Sequence, residues 1–325
     1  MKLTFFNVGQ GDSIVAEWKF EGENKIAVID CKSNLGKNPV LEYILSNNYS
    51  KIEFLILSHP HSDHFSGIKE LIEGCINRGI KLKYFYHTAT LSPNRIKTAV
   101  TSPIALNEIT NLYLLLVKLK DNDEIKVCAI NETGFDVHLN SEWSFKVLSP
   151  SFNEFDSYSK NSNYNTIHQD EEPGNEPFAN LLSTILVFFN DSGYFILTSD
   201  AVIDTFYRLD KSYKTFFNSK KLLLGQIPHH GSSRNFKPIF WKNKNPLRES
   251  VPVVISVGKN GYKHPNMSVI ENLTKQGFNI FLTEDINIFS QVNRDNLFFA
   301  DLYSSPVPLN KALSFTIIGD KAVKN

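Results

Sequence analysis

Three histidines and an aspartate fall within six residues at His59-Pro60-His61-Ser62-Asp63-His64, directly behind the apolar run Phe54-Leu55-Ile56-Leu57. Imidazole nitrogens and a carboxylate together suit borderline divalent ions such as Zn, Mn or Fe. In an extended segment alternate side chains share a face, so His59 and His61 can converge on one ion while Asp63 and His64 face elsewhere. A helix is expected to follow from Ser66, which would bring Asp63 and His64 beside a second ion. The spacing therefore predicts two metals. Ser, Pro, Asp and His are also ordinary loop residues, but the strand-loop-helix context favours the metal reading.

The pattern H-x-H-x-D-H resembles the signature of the metallo-β-lactamase-fold hydrolases. Upstream, Gly9-Gln10-Gly11-Asp12-Ser13 lies between Phe5-Phe6-Asn7-Val8 and Ile14-Val15. This turn resembles the opening of one branch of that superfamily, the hydrolase domain of the ComEC competence proteins and its free-standing relatives. Two glycines flanking Gln10 permit a tight turn with positive φ, which would carry the Gln10 and Asp12 side chains under the metal floor. Carboxylates that accept the spare N–H of a ligating imidazole fix its tautomer. Asp12, and Asp30 at the end of the strand Ile26–Ile29, are candidates for that work.

The resemblance continues downstream. Asn180-Leu181-Leu182-Ser183 matches an N-x-x-S element, and the strand Tyr194–Leu197 delivers Thr198-Ser199-Asp200, where the branch usually has Thr-Gly-Asp. Asp200 is the candidate bridging carboxylate; an Asp at a strand end is also a common helix N-cap. Other superfamily members supply a third histidine to the first ion from the intervening segment. Here that segment offers, apart from His87, only His138 and His168, both read as structural or solvated. The resemblance then implies that Asn180 or Ser183 lies near the first ion, which would hold metal more weakly than the second. Pro228-His229-His230-Gly231-Ser232 resembles the family's His-His-Gly-Ser turn. His230 is the expected second-site ligand, with His229 facing the first site, the substrate or a supporting partner. The loop Gly258–Pro265 resembles the terminal Asn-x-Tyr-Gly-His-Pro loop, with Lys263 in the glycine's place. It casts His264 as a hydrogen-bond or proton donor to the scissile group, and Ser232 as a further stabiliser of developing charge.

The elements that must position these residues span Asp12 to His264, so most of the 325 residues are expected to fold as one unit. With 42% hydrophobic residues the chain can bury a large core. Helices are expected at Leu41–Asn47, Ser66–Arg78, Leu106–Leu119 and Ser268–Gln276, each near an apolar strand run. The resemblance implies an α/β (α+β type) four-layer αββα sandwich with the metals at the edge between its sheets. The expected organisation is a hydrolase domain over residues 1–290, with an insertion around 81–142, and an extension over 291–325. In that extension Ala312–Ile318 reads as a strand packing on the domain or on a protein partner. The Asn-, Ser- and acid-rich stretch Asp156–Glu176 reads as a loop ordered late or with substrate.

The three cysteines, Cys31, Cys75 and Cys128, lack C-x-x-C spacing and are too few for a disulfide framework. A reducing compartment follows. No apolar run is long enough for a signal peptide or a membrane span, so the expectation is cytoplasmic, with no membrane partner. Formal net charge is zero, which excludes a global field drawing in nucleic acid. Local basic stretches remain, Lys211–Lys221 and Lys237–Arg248. Their aromatic residues either stack on unpaired bases or point into the core.

The expected function is that of a dinuclear metal-dependent hydrolase holding two Zn or Mn ions, most simply a phosphodiesterase or nuclease using a metal-bound hydroxide. Its partner would be nucleic acid or another phosphodiester. A small-molecule ester, lactam or cyclic-nucleotide hydrolase would use the same centre. A metal-stabilised binding protein of a defence or toxin system is the non-catalytic alternative.

Overall fold

Two alternations of strand and helix build the molecule, one in each half of the chain. The computed structural model describes residues 1–88, 100, 102–132, 136–164, 179–284 and 312–325. Among these, β1 (Lys2–Phe6), β2 (Ser13–Phe20), β3 (Glu23–Cys31), β4 (Lys51–Leu57), β5 (Lys81–His87) and β6 (Lys126–Ala129) from the first half join the C-terminal β14 (Ala312–Ile318) and β15 (Lys321–Lys324) in an eight-stranded sheet of order β15-β14-β1-β2-β3-β4-β5-β6. A seven-stranded sheet of order β13-β12-β11-β10-β9-β8-β7 is formed by β7 (Val137–His138), β8 (Ser144–Ser149), β9 (Ile185–Phe189), β10 (Gly193–Leu197), β11 (Lys221–Gln226), β12 (Pro252–Ile255) and β13 (Asn279–Leu282). In the first sheet β3, β4, β5 and β6 run parallel. In the second, β10, β11, β12 and β13 do the same. Parallel neighbours require crossover connections, and helices supply them.

Alternation along each strand divides the core in three. One face of the first sheet, with Val15, Val28 and Leu55, packs under the helices Pro39–Ser46, Ile68–Ile76 and Pro103–Asp121. One face of the second, with Tyr194, Leu222 and Val253, packs under the helices Ile203–Ser212, Pro238–Lys244 and Met267–Lys275. The remaining faces meet each other, Phe54 against Phe145 with ring centroids 5.2 Å apart. The layers are thus α, β, β, α, the four-layer sandwich expected.

Several elements differ from the sequence reading. A one-turn helix, Ser62–Phe65, precedes Gly67 and carries Asp63 and His64, so they lie in a helix rather than in a turn before one. The expected loop from Asp156 begins instead as the helix Phe152–Tyr164. Its start is a capping box: Glu154 accepts from the Ser151 amide at 2.6 Å, and the Glu154 amide donates to Ser151 Oγ at 3.3 Å. The S-x-x-E signal was present at Ser151–Glu154 and outweighs the polar composition that follows. The rest of that stretch, with His168, lies outside the described residues. The strand Ala312–Ile318 is β14, paired antiparallel with β1 (Lys2–Phe6) from Lys2↔Thr316 to Phe6↔Ala312. The stretch 81–142 supplies β5 and β6 to the first sheet and a 19-residue helix over it. No helix among the described residues is long and apolar enough to cross a membrane. Cys31, Cys75 and Cys128 are all free thiols.

Candidate metal centre

The candidate metal ligands follow the carboxyl ends of parallel strands, and the N-terminal turn meets those ends. Asp30 closes β3, His59 follows β4, Asp200 follows β10, His230 follows β11 and His264 follows β12. Ligand sites in α/β sheets form at such ends, where loops converge over a rigid floor. The Ser58 carbonyl fastens the two sheets there, accepting from the Thr184 amide (3.1 Å), Thr184 Oγ1 (3.0 Å) and Thr88 Oγ1 (3.2 Å).

The glycine turn fits closely. Gly9 and Gly11 have φ of 69° and 139°, and a Cβ on Gly11 would stand 2.4 Å from the Asp63 carbonyl oxygen, which accepts from the Asp12 amide at 3.0 Å. A Cβ on Gly258 would stand 2.3 Å from the Gly9 backbone, so glycine at both positions lets the first and last site loops touch. Asp12 is buried and lies 3.7 Å from His64 Nδ1. The contact made by Gln10 is through its main-chain carbonyl, which accepts from Lys32 Nζ.

Asp63, His64, Asp200 and His230 present one ligand atom each, all within 4.8 Å of one another; His59, His61 and Asp200 form a second such set. Asp200 belongs to both. Its Oδ1 lies 3.5 Å from Nε2 of His64 and 3.5 Å from Nε2 of His230, and its Oδ2 lies 3.7 Å from Nε2 of His59. His59 Nε2 and His61 Nδ1 approach to 2.9 Å. His64 Nε2 and Asp200 Oδ1 are buried without a hydrogen-bond partner, although buried polar atoms are nearly always paired. Orphaned donor atoms converging at these distances are what a divalent cation would satisfy, and the nitrogen and carboxylate donor set fits Zn or Mn.

Beneath lies a layer that orients the imidazoles. Asp30 Oδ2 accepts from His64 Nδ1 at 2.7 Å and from Ser58 Oγ at 2.6 Å, while its Oδ1 accepts the Ser58 amide at 2.7 Å. His230 Nδ1 donates to the Ser256 carbonyl at 2.7 Å. Either bond leaves Nε2 as the free coordinating nitrogen. His59 Nδ1 meets two hydroxyls, Ser58 and Ser199, each at 3.2 Å. Ser199 adopts a φ of 47°, the left-handed conformation that glycine favours, and its hydroxyl contacts offset that strain. Asp12 Oδ2 stands 3.7 Å from His64 Nδ1 and accepts from Gln226 Nε2 at 2.8 Å. Asp12, Asp30 and His64 also converge. There, however, the nitrogen is the proton-bearing Nδ1 and the carboxylates already serve Ser58 and Gln226, so this group supports the centre and is not a third ion site.

Sequence reasoning missed Ser58, Gln226, Lys32 and the Ser256 carbonyl. Gln226 had a readable signal, a lone amide in the apolar strand Leu222–Ile227. Its side-chain oxygen accepts the Thr198 and Ser199 amides at 2.9 and 3.1 Å, which fixes the turn before Asp200. Lys32, largely buried beside Asp63 and Glu284, has its ammonium pKa pushed down by burial. Of the remaining candidates, Ser183 and Ser232 are buried near the site loops. Asn180 Nδ2 lies 3.4 Å from His229 Nδ1, and the His264 ring centroid is 5.7 Å from that of His229. His138 pairs with Ser144 at 2.8 Å on β7 (Val137–His138), outside these groups.

The basic stretches resolve toward the core-packing alternative. Phe217, Phe240 and Trp241 are buried, and Lys237 and Lys244 both bind Asp210. Lys214, Lys242, Lys244, Arg248 and Lys275 line a cleft of about 860 Å³. They precede β11, β12 and β13, whereas the metal-facing residues follow the parallel strands, so the cleft lies at the other end of the sheet.

Burial opposes charge on His230, but Asp200 and Asp63 win and push its pKa up to about 9. Burial likewise opposes charge on His64, which Asp200, Asp30 and Asp63 nonetheless hold well above the usual imidazole range. Burial would raise the Asp200 carboxyl, yet His229, His230 and His64 keep it well below the usual carboxylate range. A metal ligand must be a neutral imidazole, so an ion entering this cluster displaces the protons of His64 and His230. Loading at pH 7 is expected to release about two protons, and apparent affinity to rise with pH through the range in which His230, near 9, and His64 give up theirs. Calorimetric titration in buffers of different ionisation enthalpy measures the release; affinity independent of pH from 6 to about 9 would contradict it.

No family model and no curated protein matches the chain. Solved structures that resemble it include the metallo-β-lactamase-fold protein YhfI from Bacillus subtilis, at 11% identity and a TM-score of 0.46, over 86% of this chain and 96% of that one. Zn(2+)-bound PqqB from Methylobacterium extorquens aligns at 9% identity and 0.43, over 86% and 97% of the two chains. A diphosphatase from the PhnP family aligns at 12% and 0.38, over 87% and 86%. At such identities and scores, chemistry has to be read from this chain's own residues.

Proposed function

We propose that the protein is a dinuclear metal-dependent phosphodiesterase that acts as a nuclease. The observation that supports it is the Asp200 carboxylate, whose two oxygens face separate sets of converging donors. His59 and His61 would hold one ion, and Asp63, His64 and His230 the other, with Asp200 between them. Bound there, a pair of Zn or Mn ions supplies Lewis-acid activation of water and of a phosphoryl oxygen near neutral pH.

The chain's own residues define the rest. Asp30 and Ser58 fix the imidazole tautomers, and the buried floor excludes water from beneath. Burial, His229 and His230 push the His264 pKa down to about 4, so its ring is neutral at physiological pH. Neutral imidazole suits His264 as an N–H donor to a phosphate oxygen better than as the acid that protonates the leaving group. Asn260 fixes its backbone, Nδ2 donating to the His264 carbonyl at 2.8 Å and Oδ1 accepting the His264 amide at 3.1 Å. The phosphodiester preference rests on Asn180-x-x-Ser183 and His229-His230-Gly231-Ser232, which resemble elements of the ComEC-like branch. Free thiols at all three cysteines fit a reducing, cytoplasmic setting.

A second reading, hydrolysis of a small phosphodiester or ester, is favoured by the burial of the aromatic residues that would have stacked on a polynucleotide. A purely metal-stabilised binding protein would have no need of two donor sets sharing a carboxylate. Cleavage of labelled single- and double-stranded DNA and RNA with Mn or Zn, against bis(p-nitrophenyl) phosphate, separates these readings. Metal-dependent polymer cleavage that is lost in Asp63→Ala and His230→Ala is the expected result. Turnover of the small ester alone would establish the second reading, and cleavage unchanged in both variants would overturn the assignment of the centre.

A further inference from the structure

Two adjacent histidines ordinarily cannot serve one metal centre, because successive side chains diverge. At His229 and His230 the chain overcomes this with backbone strain. The residues have φ of 47° and 54°, so two successive non-glycine residues are left-handed, followed by Gly231 at 83°. A residue with a Cβ is strained in this conformation, and such strain persists only where the surroundings hold it. The turn is held by the His229 amide donating to the Ser199 carbonyl (3.0 Å) and the Ser232 amide donating to the His229 carbonyl (2.9 Å). As a result the two rings stand 6.0 Å apart at 81° to each other, one on either side of Asp200.

The carboxylate is then flanked evenly. Oδ1 has the Nε2 atoms of His64 and His230, each at 3.5 Å; Oδ2 has those of His59 and His229, each at 3.7 Å. Two donors that share an ion at about 2.0–2.2 Å from each lie within roughly 4.4 Å of one another, so 3.7 Å from Asp200 is compatible with common ligation. His229 stands outside the tight set of His59, His61 and Asp200, and its partly exposed ring has to turn inward to join it. We propose that His229 is the third nitrogen ligand of the first ion, beside His59 and His61. The inference rests on the metal-centre reading above and assigns the position for which the segment between Asp63 and Asp200 offers no ligand histidine among the described residues.

Asn180 completes the case. Its Nδ2 lies 3.4 Å from His229 Nδ1, and its buried Oδ1 has no hydrogen-bond partner. The two ends of an amide are distinguished only by their hydrogen bonds. Turned about, Asn180 Oδ1 accepts the Nδ1–H of His229, which commits Nε2 to Asp200 and the ion. Asn180 thereby does for His229 what Asp30 does for His64, and its contact with the first site runs through a histidine instead of directly to metal. His229 is 28% exposed against 2% for His230, so the first site is the more open of the two.

The test is metal binding, independent of turnover. Metal-free wild type, His229→Ala, His229→Gln and His230→Ala are titrated with Co(II), read by visible absorption and by equilibrium dialysis, with circular dichroism as a check of folding. Wild type is expected to take two ions per chain. Both His229 variants are expected to keep one tight ion and to weaken the other by about 100-fold or more, while His230→Ala loses the opposite site with a different residual spectrum. Two ions bound at wild-type affinity in both folded His229 variants would overturn the role of His229 and leave the metal centre standing. A wild type that binds no ion would overturn the centre itself.

Discussion

Asp200→Ala is expected to empty both ion sites together and to lower turnover of any phosphodiester by at least about 10³-fold, corresponding to roughly 4 kcal/mol of transition-state stabilisation. Asp200 is the residue common to both donor sets, with one oxygen toward each, and it is 2% exposed, so solvent cannot easily replace it. Removing a ligand of one set alone, as in His61→Ala, should leave the other ion in place. Metal content after dialysis, together with kcat on bis(p-nitrophenyl) phosphate, distinguishes the cases. An Asp200→Ala protein that retains one tightly bound ion would show that the two sets are independent and that Asp200 does not bridge them.

Asp30→Asn is expected to have the second largest effect, although Asp30 touches neither ion. Its carboxylate accepts three hydrogen bonds, from His64 Nδ1, Ser58 Oγ and the Ser58 amide. An asparagine can keep the amide bond, but its Nδ2 cannot accept from the other two donors. His64 then loses the partner that fixes its tautomer, and the Ser58 hydroxyl that reaches His59 Nδ1 loses its anchor. Affinity at the Asp63–His64–His230 site should fall about 10–100-fold, with a smaller loss at the His59–His61 site. Asp12→Asn serves as the comparison. Asp12 bonds Gln226 and stands 3.7 Å from His64, so its effect should be clearly smaller. Equal losses in the two variants would mean that bulk negative charge beneath the histidines matters, not the directed bond.

Much of this centre was legible because local sequence dictates it. His59, His61, Asp63 and His64 lie in one contiguous run, and Asp200 and His230 each close an apolar strand that the alternation of residues makes plain. Gly9 and Gly11 announced a turn with positive φ, and the turn has it. The sandwich itself came from the family resemblance and is observed; periodicity alone could not pair β14 with β1 across some 310 residues. What escaped notice depends on tertiary contact. Ser58 is an ordinary strand-end serine until Asp30, Ser199 and two imidazoles are brought around it. Ser199 in place of glycine looked like a loss of backbone freedom, whereas its hydroxyl contributes a contact to His59. The lysine-rich stretches stayed ambiguous in the sequence for a related reason. Composition showed charge beside aromatic rings, but the helices turn Phe217, Phe240 and Trp241 inward and aim two lysines at Asp210.

The central claim is a pair of ions on either side of one carboxylate, and anomalous diffraction from crystals grown with Mn or Zn tests it most directly. Two peaks are predicted, both within coordination distance of Asp200, one shared with Asp63, His64 and His230 and the other with His59 and His61. A single peak, or density among Asp12, Asp30 and His64 Nδ1 instead, would contradict the account.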